Sequence, residues 1–122
     1  MPVRSLNSSV LKWADHKKIE EELKNWINNV VREKRGIIKI GYFGSYARGD
    51  YGVGSDLDLI IILESSSLPF EKRGIDWDTT KFSVPVDLLI YTIDEWKKLE
   101  EENSPFYKKV SREIVWVFES DE

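Results

Sequence analysis

The spacing of hydrophobic residues divides the chain into helical and extended segments. Between Asp15 and Arg35, hydrophobic residues recur every three or four positions, which is the period of a helix with one buried face. The residues of this stripe are Ile19, Leu23, Trp26, Ile27, Val30 and Val31. Asp15 is a candidate N-cap and Gly36 a candidate C-terminal stop. We therefore predict a helix over 15–35, preceded by a short extended segment over 10–13.

Runs of β-branched and aromatic residues predict the strands of a sheet. The segments 37–43, 57–63 and 86–91 have this composition. The second contains a continuous apolar run, which is typical of a strand that is buried on both faces. We expect 114–118 to form an edge strand, and 82–84 is a weaker candidate for a paired strand.

Two polar signals predict shorter helices after the third strand. Thr92 and Glu95 have the spacing of a capping box, and Ser104 followed by a proline is a typical helix start. A short helix is also expected from Ser45 to Asp50. The predicted fold class is α/β (α+β), a mixed sheet of about four to five strands flanked by helices. A single domain would span 1–122, with loose ends over 1–9 and 119–122.

Composition excludes several classes of protein and site. The 122 residues are 41% hydrophobic and 33% charged, as in a globular domain. No apolar run approaches the roughly 18 residues of a membrane helix, and the first residues do not resemble a signal peptide, so we expect a cytoplasmic protein. Without cysteine, a disulfide framework or a Cys-ligated zinc site is excluded. The net charge of −4 argues against a broad nucleic-acid-binding face.

Three aspartates stand where apolar strands predict hydrophobic residues. Asp56 and Asp58 precede and enter the run 57–63, and their spacing directs both to one face of the strand. Asp87 lies inside the apolar strand 86–91. If the two strands are neighbours, the three carboxylates converge. Oxygen ligands of this kind suit Mg²⁺ or Mn²⁺, and shared carboxylates can hold two ions roughly 3.5–4 Å apart for phosphoryl transfer.

A glycine and a serine follow the first predicted strand. Gly44 allows the backbone to approach a phosphate closely, and the Ser45 hydroxyl can add a hydrogen-bond donor. The sequence therefore predicts a phosphate-binding turn a short loop before a cation site. A metal-dependent enzyme acting on a nucleoside triphosphate needs both.

The order of these motifs resembles that of a known family. Phe43-Gly44-Ser45, then ten residues, then Asp56-Leu57-Asp58-Leu59, and finally Val86-Asp87-Leu88 are similar to the signature of the DNA polymerase β-type nucleotidyltransferase superfamily. The core motifs cover 37–91, and the small size is similar to minimal nucleotidyltransferase (MNT) domains. The resemblance implies that Asp56 and Asp58 bind two Mg²⁺ ions, that Asp87 completes the metal site, and that Gly44 and Ser45 hold the triphosphate of ATP.

The segment 44–49 is also similar to MNT antitoxins, which pair with HEPN-domain toxins and transfer AMP to a toxin tyrosine. By this resemblance Arg48 contacts phosphate; the alternative is that it pairs with Asp50 or Asp56. Larger members of the superfamily carry extra acceptor-binding domains, so we expect a protein partner or a homodimer to complete this one. The sequence leaves open an antitoxin that acts by binding alone, or nucleotidyl transfer to a small molecule.

Overall fold

The computed structural model describes residues 8–52 and 54–120. The helices are α1 (Ser8–Glu33), α2 (Ser45–Arg48), α3 (Ile93–Glu101) and α4 (Pro105–Glu113), with a 3₁₀ helix at Phe70–Asp76. The strands are β1 (Ile37–Phe43), β2 (Leu57–Leu63), β3 (Val86–Thr92) and β4 (Val115–Glu119). The predicted fold class is confirmed, with four strands in the described part of the chain.

The sheet has the order β3-β2-β1-β4 and is mixed. β1 runs antiparallel to β2 and to β4, whereas β2 and β3 are parallel. The carboxyl end of β1 therefore meets the amino ends of the other three strands. Phe43 pairs with Asp58, and Asp58 pairs with Asp87. We call this end of the sheet the acidic edge.

Helices cover both faces of the sheet. Because side chains alternate along a strand, β2 sends Leu59 and Ile61 to the face that packs against α1, and Ile60 and Ile62 to the face that packs against α3 and α4. All four of these side chains are fully buried. The continuous apolar run of β2 is thus explained by a core on each side.

Both helix starts predicted after β3 are confirmed. The Thr92 hydroxyl accepts from the backbone N–H of Glu95, whose carboxylate accepts in return from the N–H of Thr92. Ser104 caps α4 by accepting from the N–H of Tyr107. These local bonds satisfy amides that have no partner inside the helix, which is why the sequence signals were reliable here.

The predicted start of α1 is wrong. The helix begins at Ser8 and ends at Glu33, so the proposed cap Asp15 lies inside it, and the segment 10–13 is helical and not extended. The stretch between Ser8 and Asp15 contains neither glycine nor proline, so nothing in it interrupts a helix. Gly36 has φ of 80°, which confirms the predicted turn after the helix. Most of the expected loose start, 1–7, lies outside the described residues.

The strand expected at 82–84 is absent, because this segment forms turns and bends. The N–H and hydroxyl of Ser83 both donate to Glu22 of α1, at 3.0 Å each, and the buried Phe82 ring packs on Trp26. These contacts with α1 replace strand pairing. The expected loose end at 119–122 begins too early, since Glu119 closes β4 and the N–H of Ser120 donates to Ile38.

Among the described residues, no helix combines the length and the apolar character needed to cross a membrane.

Candidate active site

Gly44 lies at the turn between β1 and α2 and admits no other residue without strain. Its φ of 77° and ψ of −152° lie in a region that is essentially restricted to glycine. A Cβ at this position would collide with the carboxylate of Asp58. The absence of a side chain therefore brings the backbone of the predicted phosphate-binding turn against one of the predicted metal ligands.

Asp58 and Asp87 lie side by side at the acidic edge. They are register partners on the parallel strands β2 and β3 and share the face that packs against α3 and α4. Burial, followed by the charges of Asp87 and Asp56, raises the pKa of the Asp58 carboxyl above its ordinary value, and Arg48 acts in the opposite direction. The expectation that β2 and β3 are neighbours is confirmed, and the three carboxylates are close enough for mutual repulsion.

The carboxylates do not form a finished metal cage. In the described part of the chain, no group of three or more His, Cys, Asp or Glu side chains is arranged to hold a metal ion. However, Mg²⁺ commonly binds through one or two carboxylates, together with water and the phosphates of a substrate. The oxygen-only donors and the destabilised charge of Asp58 fit such an ion. The assignment of Asp56, Asp58 and Asp87 as metal ligands stays a prediction.

Arg48, at the end of α2, is held by two carboxylates. Its Nε donates to Asp50 Oδ2 at 3.1 Å, and its Nη1 donates to Glu113 Oε1 and Oε2 at 3.2 and 3.0 Å. The predicted alternative of pairing with Asp50 is therefore confirmed. Phosphate contact by Arg48 stays a prediction, as does the role of the Ser45 hydroxyl.

Glu113 was missed by the sequence analysis. This last residue of α4 accepts from the Gly44 N–H at 3.2 Å as well as from Arg48, and its side chain is only 13% exposed. An acidic residue in the last turn of a helix lies at the negative end of the helix dipole, where cations are preferred. That unfavourable position was the signal available in the sequence.

Comparison with known proteins identifies the family. A family model described as "Nucleotidyltransferase domain" matches residues 16–117. The chain belongs to the nucleotidyltransferase domain family. The match includes the glycine of the turn, all three aspartates and Glu113, so it covers the whole candidate site of this nucleotidyltransferase.

Two relatives come from Methanocaldococcus jannaschii. The protein described as "Putative protein adenylyltransferase MJ0141" is 35% identical over 75 residues, which cover 62% of this chain and 74% of that protein. The protein described as "Putative protein adenylyltransferase MJ0604" is 48% identical over 44 residues, which cover 35% of this chain and 44% of that protein.

A solved structure from Sulfolobus solfataricus, described as a "putative nucleotidyltransferase", superposes with a TM-score of 0.67 at 17% identity. The superposition covers 91% of this chain and 89% of that one, and it establishes the likeness of the folds. The family model confirms the predicted family, and this superposition confirms the predicted fold.

Proposed function

We propose that this nucleotidyltransferase moves the AMP group of ATP onto a hydroxyl of a protein. The observation that carries the proposal is the position of Asp58, which lies between Asp87 and the backbone of Gly44. This arrangement supports a site in which carboxylates and a glycine turn act on one triphosphate. The choice of AMP and of a protein acceptor is supported by the descriptions of the two Methanocaldococcus relatives as protein adenylyltransferases.

The reaction exchanges one bond at the α-phosphorus for another. The acceptor oxygen attacks the α-phosphorus, the bond from this atom to the α–β bridging oxygen breaks, and pyrophosphate leaves with that oxygen. The hydroxyl proton passes to a carboxylate, for which Asp87 is the candidate. Asp56, Asp58 and Asp87 would hold Mg²⁺, which, when bound, supplies positive charge that neutralises the phosphates. Gly44 and Ser45 would bind and orient the triphosphate.

In this proposal, the hydroxyl that receives AMP belongs to a partner protein. The likeness of the segment 44–49 to MNT antitoxins favours a tyrosine of a HEPN-type toxin. The alternative is that a second copy of this chain completes the wall of the acceptor site. A radiolabel at the α-phosphate of ATP tests the proposal. Wild-type protein with Mg²⁺ should label a HEPN-type protein encoded beside its gene, and the Asp56→Asn/Asp58→Asn variant should not. Equal labelling by the double variant would contradict the proposal.

A second candidate function is neutralisation of a partner by binding alone. It is favoured by the edge strand β4, where Val115 and Val117 are each 39% exposed, because an unpaired edge can accept another chain. Cells that express the partner toxin distinguish the two functions. Protection that survives Asp56→Asn/Asp58→Asn supports binding alone, whereas loss of protection by a folded variant supports transfer.

A further inference from the structure

The carboxylate of Glu113 occupies the groups that a nucleotide phosphate would need. It accepts from the Gly44 N–H at 3.2 Å and from Arg48 Nη1 at 3.2 and 3.0 Å. A carboxylate and a phosphate are both oxygen anions that recruit amide and guanidinium donors. We propose that Glu113 is a built-in competitor of the triphosphate, which fills its binding groups until nucleotide displaces it. This inference rests on the proposed function.

Electrostatics favour displacement of Glu113. Its charge is among those that raise the pKa of Asp58, so it adds a further anion to an edge that already holds Asp56, Asp58 and Asp87. At the end of α4 it also opposes the helix dipole. Contacts with Gly44 and Arg48 offset these costs only while no stronger anion is present. A triphosphate that arrives with Mg²⁺ brings its own positive charge, which the Glu113 carboxylate does not.

The position of Glu113 in the fold lets the side chain move alone. Its N-terminal neighbours belong to α4, and two residues later Val115 pairs with Tyr42 of β1. The backbone is therefore fixed on both sides. A glutamate side chain has three rotatable bonds, so rotation frees the Gly44 N–H and Arg48 without any rearrangement of the sheet. The bond from Arg48 Nε to Asp50 does not involve Glu113.

Two other roles for Glu113 make opposite predictions. If the contact with Arg48 only stabilises the fold, neutralising Glu113 lowers the thermal midpoint and leaves nucleotide affinity unchanged. If Glu113 helps to bind a metal-loaded nucleotide, neutralising it weakens affinity. Of these three roles, only competition predicts tighter binding, and the dependence on Arg48 separates it from general charge repulsion.

The test is the affinity of Glu113→Gln for a non-hydrolysable ATP analogue with Mg²⁺, measured by calorimetry. Glutamine can still accept from Gly44 but lacks the charge. We expect a dissociation constant about threefold to tenfold lower than that of wild type, as the loss of a partly exposed ion pair allows. The KM for ATP should fall with it. Glu119→Gln, the same charge change at the opposite end of β4, should bind like wild type.

A double variant tests whether the gain in nucleotide affinity depends on the guanidinium of Arg48. In an Arg48→Ala background, Glu113→Gln should improve affinity by much less, because one shared binding group is gone. Glu113→Ala covers the case in which the glutamine variant does not fold, as judged by circular dichroism. Unchanged or weaker binding by folded Glu113 variants, with wild type binding nucleotide, overturns the inference alone. If no variant and no wild-type protein binds nucleotide, the proposed function fails as well.

Discussion

Carboxylates near the two ends of β3 have opposite electrostatic environments. At the amino end, Asp87 lies beside Asp58, and burial and like charges raise the pKa of Asp58. Beyond the carboxyl end, Arg73 of the 3₁₀ helix donates two hydrogen bonds to the carboxylate of Glu95 in α3, from Nη1 to Oε1 at 2.6 Å and from Nη2 to Oε2 at 3.0 Å. This contact lowers the pKa of Glu95 from 4.5 to about 2.

This difference indicates that the Arg73–Glu95 pair contributes to stability, whereas the acidic edge is arranged for function. Arg73 is buried and donates further to the carbonyls of Leu68 and Ile90, while Glu95 also completes the cap of α3. The two charges neutralise each other, and the bonds of Arg73 connect the 3₁₀ helix with β3 and α3. At the acidic edge the charges of Asp87 and Asp56 are unfavourable to the charge of Asp58, and groups perturbed in this way are frequent at functional sites. Removing charge should therefore have opposite effects at the two ends.

The largest expected effect is on activity at the acidic edge. Asp58→Asn should lower AMP transfer by about a thousandfold or more, because the site loses a charge next to the transferred phosphate. The same variant should unfold at slightly higher denaturant concentration without metal, with about 1 kcal/mol of added stability, since a repelled charge is gone. Labelling and urea titration measure the two quantities. A variant that is both active and less stable would break the comparison.

At the other end, the main effect should be on stability. Arg73→Ala removes the guanidinium partner of Glu95 and one donor from each of the carbonyls of Leu68 and Ile90, so we expect a loss of about 3 kcal/mol in the free energy of unfolding. Lys72→Ala, an exposed neighbour in the same 3₁₀ helix, is the matched control and should change stability by less than about 0.5 kcal/mol. A similar, small loss in both variants would refute the assigned role of Arg73.

The turn before α2 couples the backbone to the acidic edge. Gly44→Ala should cost about 2 kcal/mol, because its φ is positive and its Cβ meets Asp58, and it should also weaken binding of Mg²⁺ with ATP. Gly52→Ala serves as the control, since a Cβ there has open space and its φ is not positive. Thermal unfolding and calorimetry compare the two. Equal stability and equal nucleotide binding in the two variants would mean that the turn at Gly44 does not constrain the site.

The smallest effect is the pH dependence of the Arg73–Glu95 pair. The folded pKa of Glu95, about 2, lies below the ordinary 4.5, so its stabilisation is complete above pH 4.5 and disappears as the pH falls towards 2. The side chain of Glu95 is 41% exposed, so screening reduces this contribution to about 1–2 kcal/mol. The stability difference between wild type and Glu95→Gln, followed from pH 7 to pH 2.5, isolates it. A difference that does not shrink on acidification would contradict the assignment.

Features with a local cause could be predicted from the sequence. Asp58 and Asp87 interrupt apolar strands, and Asp56 directly precedes one of them. Thr92 and Ser104 bond to amides three residues away. Each of these signals is contained in a short segment. Signals of this local kind were sufficient to predict the family, the strands of the sheet and the helices after β3.

Features created by packing between distant segments were missed. Glu113 reaches Gly44 only because α4 ends beside β1, a separation of 69 residues along the chain. Arg73 lies in a segment without periodicity, and its burial depends on α3 and β3. The start of α1 at Ser8 was missed because the N-cap was assigned to Asp15, although serines at positions 8 and 9 are also residues that favour a helix start.

The most direct measurement of the central claim follows two labelled forms of ATP into products. With wild-type protein, Mg²⁺ and the acceptor, label at the α-phosphate should become attached to the acceptor, while label at the γ-phosphate should leave in pyrophosphate. Attachment of the γ label would mean phosphoryl transfer and would contradict the account. So would an acceptor that takes up the α label equally well from the Asp58→Asn variant.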